Sequence, residues 1–186
     1  MEHLSKDFAK INPVKQVPAM KDGDFCLAEG HAIMKYLHET RKCADHWYPS
    51  DIKKRSKVDA YLDWHHSFLR NGAAPSVFKT VFAPMFKLTF SKEEIEAHRK
   101  VLDRSLKAMD RVFLANSPYL CGQDVTIADL SSFCEIMQLG YINEDISKYK
   151  NLTAWYERIY QLEEVQKVCG FIIKAIEKYN HKKAKL

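Results

Sequence analysis

A chain of 186 residues, 46% hydrophobic and 28% charged, is long enough to bury a core as one domain or two small ones, with the composition of a globular protein. Part of its net charge of +5 sits at the end, in Lys182, Lys183 and Lys185, and no basic stripe interleaves with aromatics, which argues against a nucleic-acid partner. No run of about 18 apolar residues suggests a membrane-spanning helix, so no membrane partner is expected, and the opening "MEHLSKDFAK" lacks the apolar core of a secretory signal.

In chain order, residues 3 to 10 read as a short helix ending before "INP". "QVPAM" and "FCLA" are short apolar runs joined by "KDGD", whose Asp22-Gly23 pair is a hairpin signal. Pro18 inside the first run cannot donate a ladder hydrogen bond, so on its own it reads as an edge-strand proline. From Gly30 onward, Ile33, Met34 and Leu37 repeat at helical spacing. The polar, proline-punctuated "KCADHWYPSD" reads as a linker. This divides the chain into an N-terminal part over 1–42, a linker over 43–55 and a helical domain over 56–186.

Within the helical domain, Val58, Tyr61, Leu62, His65, Leu69 and Ala73 mark one face of a long helix, and Pro75 and Pro84 are expected to bend or divide the segment after it. Ser91 and Glu94 form a capping box ahead of a stripe through Ile95, Val101, Leu102, Leu106, Met109, Val112 and Phe113. Thr126 and Asp129 form a second box, with Val125 and Leu130 as its hydrophobic staple. Two more helices, near 151–161 and 163–178, complete an α+β chain that is mostly α.

Five cysteines, odd in number and widely spaced without a C-x-x-C, fit reduced thiols in an intracellular protein better than a disulfide framework. His65 and His66 are adjacent, so on a helix they point about 100° apart and share one ion poorly. No metal site is expected.

The segment "INPVKQVPAMKDGDFCLAEGHAIMKYL", taken with "TIADL", resembles cytosolic glutathione transferases. "ADHWYPSDIKKRSKVDAYLDWHHSFLRNGAA" is similar to the theta class, plant-type members above all, and the resemblance covers nearly the whole chain. It implies a thioredoxin-like N-terminal part (helix, β-hairpin, helix) followed by an all-α bundle. Pro18 would be cis, presenting the N–H and C=O of Val17 to the cysteinyl backbone of glutathione like an added strand. Glu29 would bind the α-ammonium of the γ-glutamyl end, and the free amides of the helix mouth at Gly30 its carboxylate. The family carries serine where Gly30 stands, and the lost hydroxyl would weaken binding about tenfold or more. His3 falls where a histidine reaches the glycyl carboxylate, and Gln16 where another contact, often lysine, sits. Arg70 matches an arginine that faces the sulfur and favours thiolate and developing anionic charge. From spacing alone Arg70 reads instead as an interdomain salt bridge, and Asn71 replaces the usual second arginine.

The resemblance implies a theta-type transferase that conjugates glutathione, its co-substrate, to small hydrophobic electrophiles or uses it to reduce organic hydroperoxides, without a metal and as a homodimer. In the family a strand, helix and strand precede the position of Met1, and the first strand ends in the serine that activates the sulfur. Ser5 matches residues after that strand and does not replace it. The chain is therefore expected to be an incomplete form, a stable bundle carrying a weakly supported N-terminal part. The alternative is a non-catalytic binding or dimerisation module. A cytoplasmic location is expected; Ala184-Lys185-Leu186 reads either as a variant of the S-K-L peroxisome address or as a solvated basic tail.

Overall fold

The structure, a computed structural model, describes residues 2–183. Its opening is not the continuous helix that residues 3 to 10 suggest but two single 3-10 turns, Glu2–Leu4 and Phe8–Lys10. Ser5 is the reason: its Oγ accepts the Phe8 N–H at 3.0 Å, the local side-chain bond that competes with a helix. Next in the chain comes the hairpin, β1 (Ala19–Asp22) antiparallel to β2 (Phe25–Ala28), with Ala19 opposite Ala28 and Asp22 opposite Phe25. Gly23 takes φ +60 as the first of the two turn residues, and Asp24 is not left-handed, the pattern of a type II′ turn that places glycine first. Helix α1 (Gly30–Thr40) packs on the hairpin, its Tyr36 hydroxyl donating to Asp22 at 2.9 Å and Arg41, just beyond it, pairing with the same carboxylate at 2.6 Å.

Helix α2 (Ile52–Trp64) starts four residues before the linker boundary read from the sequence. Its first turn is exposed, Ile52 included, so a buried apolar period does not mark it, but Asp51 does, accepting the Lys54 N–H at 2.9 Å. The expected face is intact: Val58, Tyr61, Leu62, His65, Leu69 and Ala73 are all buried. The helical path runs on without a break through a π-helical turn (His65–Leu69), α3 (Arg70–Val77), a second π turn (Phe78–Phe82) and a 3-10 turn (Ala83–Phe86). Pro75 therefore does not divide it. The carbonyl that Pro75 cannot bond, that of Asn71, accepts from His98 Nδ1 at 2.9 Å instead. Gly72 lets α3 meet α4 (Lys92–Ala108) backbone to backbone; a Cβ there would stand 2.5 Å from the Leu102 nitrogen.

Helix α4 carries the Ser91–Glu94 capping box, with bonds of 3.1 and 2.9 Å. Leu102, Leu106 and Met109 of its stripe are buried, but Val112 is 69% exposed. A third π turn, Met109–Phe113, closed by the Leu114 N–H to the Met109 carbonyl at 3.0 Å, inserts a residue and rotates Val112 off the stripe. Helices α5 (Ile127–Gln138), α6 (Lys150–Tyr160) and α7 (Glu163–Lys183) complete the bundle around Phe133, Leu139, Leu152, Trp155 and Ile159.

The N-terminal part holds little core of its own: among residues 2–47 only Asn12 is buried. It is instead pinned to the bundle through α1 and the linker. Lys35 pairs with Asp59 at 2.5 Å, Glu39 with Arg55 at 3.3 Å, and His46 Nδ1 donates to the Val125 carbonyl at 2.7 Å.

Candidate functional site

The hairpin brings the parts of the site together. The ladder ends at Ala19 opposite Ala28, so Pro18 and Glu29 leave it side by side at the start of α1. A contact agrees: a Cβ built on Gly30 would lie 3.4 Å from Pro18 Cγ. The Val17–Pro18 peptide is cis. Val17 is 64% exposed, and among the described residues its N–H and C=O have no partner. The loop before it is held by a residue that sequence reasoning did not single out. Buried Asn12 donates from Nδ2 to the Gln16 carbonyl at 2.8 Å and accepts the Val14 N–H on Oδ1 at 3.1 Å. An asparagine bonding its own backbone two residues on is an ordinary turn signal, present here in "INP".

Facing Val17 is the mouth of α1. Its first intrahelical bond runs from the Ile33 N–H to the Glu29 carbonyl at 2.9 Å, which leaves the amides of Gly30, His31 and Ala32 outside the helical ladder. Glu29 does not cap them with its side chain. Its backbone stands at φ +72, ψ +115, a conformation that L residues adopt at a cost and that clusters at functional sites. The result is an exposed carboxylate beside free N–H groups at the positive end of a helix, a pair suited to an ammonium and a carboxylate on one molecule.

Two predicted residues make no side-chain bond in this arrangement among the described residues. His3 lies half-buried in the first 3-10 turn, which Lys15 Nζ ties to the loop by donating to the Leu4 carbonyl at 3.1 Å. His3 itself makes no hydrogen bond to the others among the described residues. Gln16 is exposed and held only through its carbonyl. Thr126 and Asp129 are buried in the bundle, not at the site. Asp129 accepts from the Thr126 N–H at 2.8 Å, the Leu120 N–H at 3.0 Å, the Trp155 indole at 2.9 Å and the Thr126 hydroxyl at 3.1 Å. Burial nonetheless raises its pKa above the ordinary carboxylate value. Thr126 Oγ1 caps the first turn of α5, accepting the Ala128 N–H at 3.2 Å.

Arg70, at the start of α3, forms an ion pair with Glu135 of α5, inside the helical domain rather than between domains. Its side chain is 51% exposed, and that of Glu135 only 6%. Burial raises the Glu135 pKa, with the Arg70 charge opposing it. A carboxylate on the packed side of α5 needs a cation, so Glu135 was findable from its position. The remaining guanidinium donors have no protein partner among the described residues. They border an open groove of about 450 Å³ lined by His66, Ser67, Arg70, Asn71, Ala74 and Pro75. His31, second residue of α1, joins this groove to the helix mouth, its ring centroid 6.5 Å from that of His66.

A cis-proline hairpin facing a helix mouth, docked on an all-α bundle, is the two-part architecture of glutathione transferases. Residues 58–163 match the family described as glutathione S-transferase, C-terminal domain, and residues 1–39 match the corresponding N-terminal domain. Human glutathione S-transferase theta-2 is 38% identical over 161 residues, covering 85% of this chain and 65% of that protein. Arabidopsis thaliana glutathione S-transferase T1 is 38% identical over 164 residues, covering 84% and 67%. The crystal structure of human glutathione transferase theta-2 in complex with glutathione and an unknown ligand superposes with a TM-score of 0.87 at 34% identity, covering 97% of this chain and 76% of that one. The chain belongs to the glutathione S-transferase family, in its theta class. It spans about two thirds (65%) of the human relative's length.

Proposed function

We propose that the chain binds glutathione in the cleft between hairpin and bundle and serves theta-type chemistry, the conjugation of glutathione to small hydrophobic electrophiles or the reduction of organic hydroperoxides at its expense. One arrangement carries the reading: an unpaired Val17 backbone at a cis peptide with Pro18, whose ring lies against the open mouth of α1 at Gly30. Val17 pairs with the cysteinyl unit through main-chain bonds, which need no particular side chain. Glu29 takes the α-ammonium and the free amides the γ-glutamyl carboxylate. His3 and Gln16 lie toward the glycyl end. Arg70 offers its free donors to negative charge in the groove while Glu135 anchors it. We assign no residue of this chain to activation of the sulfur.

The resemblance extends the reading to a homodimer with a detoxifying role in the cytoplasm. Peroxisomal delivery rests on Ala184-Lys185-Leu186 alone, which lies outside the described residues.

Titration calorimetry tests the core of the proposal. The chain should bind glutathione with a Kd in the millimolar range or tighter, and Glu29→Gln should weaken it about tenfold by removing a charged hydrogen bond. No binding up to about 10 mM, or equal binding by the variant, would refute it.

A further inference from the structure

The first turn of α1 is fixed by a contact that crosses the whole cleft. His31 Nε2 lies 2.8 Å from Ser131 Oγ on α5, and the same oxygen lies 3.3 Å from Nε2 of His65 in the π turn before Arg70. The His31 and His65 rings meet edge to face with centroids 5.0 Å apart. We propose that His31 is a positioning residue of the glutathione site, holding the helix mouth against the bundle through a one-way hydrogen-bond chain, His65 to Ser131 to His31, that forms only while His31 is neutral. The inference rests on the glutathione reading of that mouth.

One buried atom sets the direction. Ser131 has a single hydroxyl proton, so it donates to one imidazole and accepts from the other. His65 is 2% exposed, and its Nδ1 is buried without a partner. If Ser131 donated to His65, the proton of His65 would sit on that orphaned Nδ1, a buried N–H with nothing to bond. If His65 donates from Nε2, the orphan is a lone pair, the more tolerable vacancy. The chain therefore runs outward: His65 Nε2–H to Ser131, Ser131 O–H to His31 Nε2, and the proton of His31 on Nδ1.

A protonated His31 would break it. Ser131 would then face two N–H donors, with no acceptor for its own proton. The surroundings oppose that state as well. Burial is the largest influence holding the His31 ring neutral, and His66 from the π turn, Lys35 from α1 and Arg70 from α3 add to it, against Asp63 of α2. His65 is pushed down to about 3 by burial and by the neighbouring His31, Arg70 and His66.

The test tracks the histidines of the 186-residue chain by nitrogen-edited NMR and glutathione binding by calorimetry. The expected tautomers are Nε2–H for His65 and Nδ1–H for His31, with His31 titrating below the ordinary value of about 6.5. His31→Ala and Ser131→Ala should each weaken glutathione binding about three- to tenfold, whereas His31→Gln, whose carbonyl can accept from Ser131, should stay within about twofold of the native chain. Native binding should weaken as His31 protonates; that of His31→Gln should not. A titration of His31 at or above 6.5, the opposite tautomers, or unaltered binding in both alanine variants overturns the proposal. Failure of the native chain to bind glutathione overturns the reading above and the positioning role together, whereas tight binding with indifferent variants overturns the positioning role alone.

Discussion

Gly30 occupies a position where a side chain fits. Its φ lies outside the left-handed region, and a Cβ would stand 3.4 Å from Pro18 Cγ, an ordinary contact. Conformation therefore does not demand glycine here, and in the proposed function the cost of having it falls on the ligand. Gly30→Ser should add a hydroxyl donor to the helix mouth and tighten glutathione binding about tenfold, read by calorimetry. Glu29 is the opposite case. At φ +72 and ψ +115 it holds a conformation that a glycine would take freely. The proposed role of Glu29 toward the ammonium of glutathione accounts for a strain of about 1–3 kcal/mol held at that position.

At the scale of elements, α3 and α5 are joined by an ion pair whose members have unequal stakes. Arg70 is half in solvent and Glu135 is not. Arg70→Ala strands a buried carboxylate and should lower stability by about 2 kcal/mol in urea titrations. Adding Glu135→Gln to that variant should restore most of the loss. A fall in activity of Arg70→Ala thus mixes chemistry with folding, and the double variant separates them. What the sequence disclosed at this scale was whatever repeats locally. The face of α2, both capping boxes and the hairpin are dictated by spacing within a few turns of chain. Val112 escaped because a π turn alters the period partway through a stripe, and nothing in "MDRVF" announces the extra residue. His31 and Ser131 escaped for a different reason: their partners are tertiary, invisible until the chain is folded. Asn12 and Glu135 did carry signals, a turn asparagine and a carboxylate on a packed helix face, but neither signal names its partner. The candidate site was legible as parts, through Val17, Pro18, Glu29 and Gly30, but the commitment of Arg70 to Glu135 was not.

Across the whole molecule, stability and acidity are linked through the buried histidines. His65 has an ordinary value of 6.5 and a folded value of about 3. An unfolded chain takes up its proton near 6.5, which the folded chain refuses until about pH 3. The stabilising difference is therefore intact above 6.5 and is lost as pH falls, at about 1.4 kcal/mol per pH unit. His31 shifts in the same direction. Urea midpoints should fall between pH 7.5 and 5 by the equivalent of about 2 kcal/mol from His65 alone. His65→Gln should show a shallower slope whatever its stability at neutral pH, and an unchanged slope would refute the assignment.

The π turn at His65–Leu69 has an implication for how this sequence can change. A π turn is an α-helix with one surplus residue. Losing a single residue within it lets the turn relax to ordinary helix, and because the surplus residue is the one removed, the residues after it keep their direction about the axis. Arg70 would still meet Glu135, and Gly72 would still turn its empty side to Leu102. A one-residue deletion in ordinary helix swings everything beyond it by about 100°. The π turn is thus a stretch of this helix that can lose a residue and leave the packing of its flanks in place.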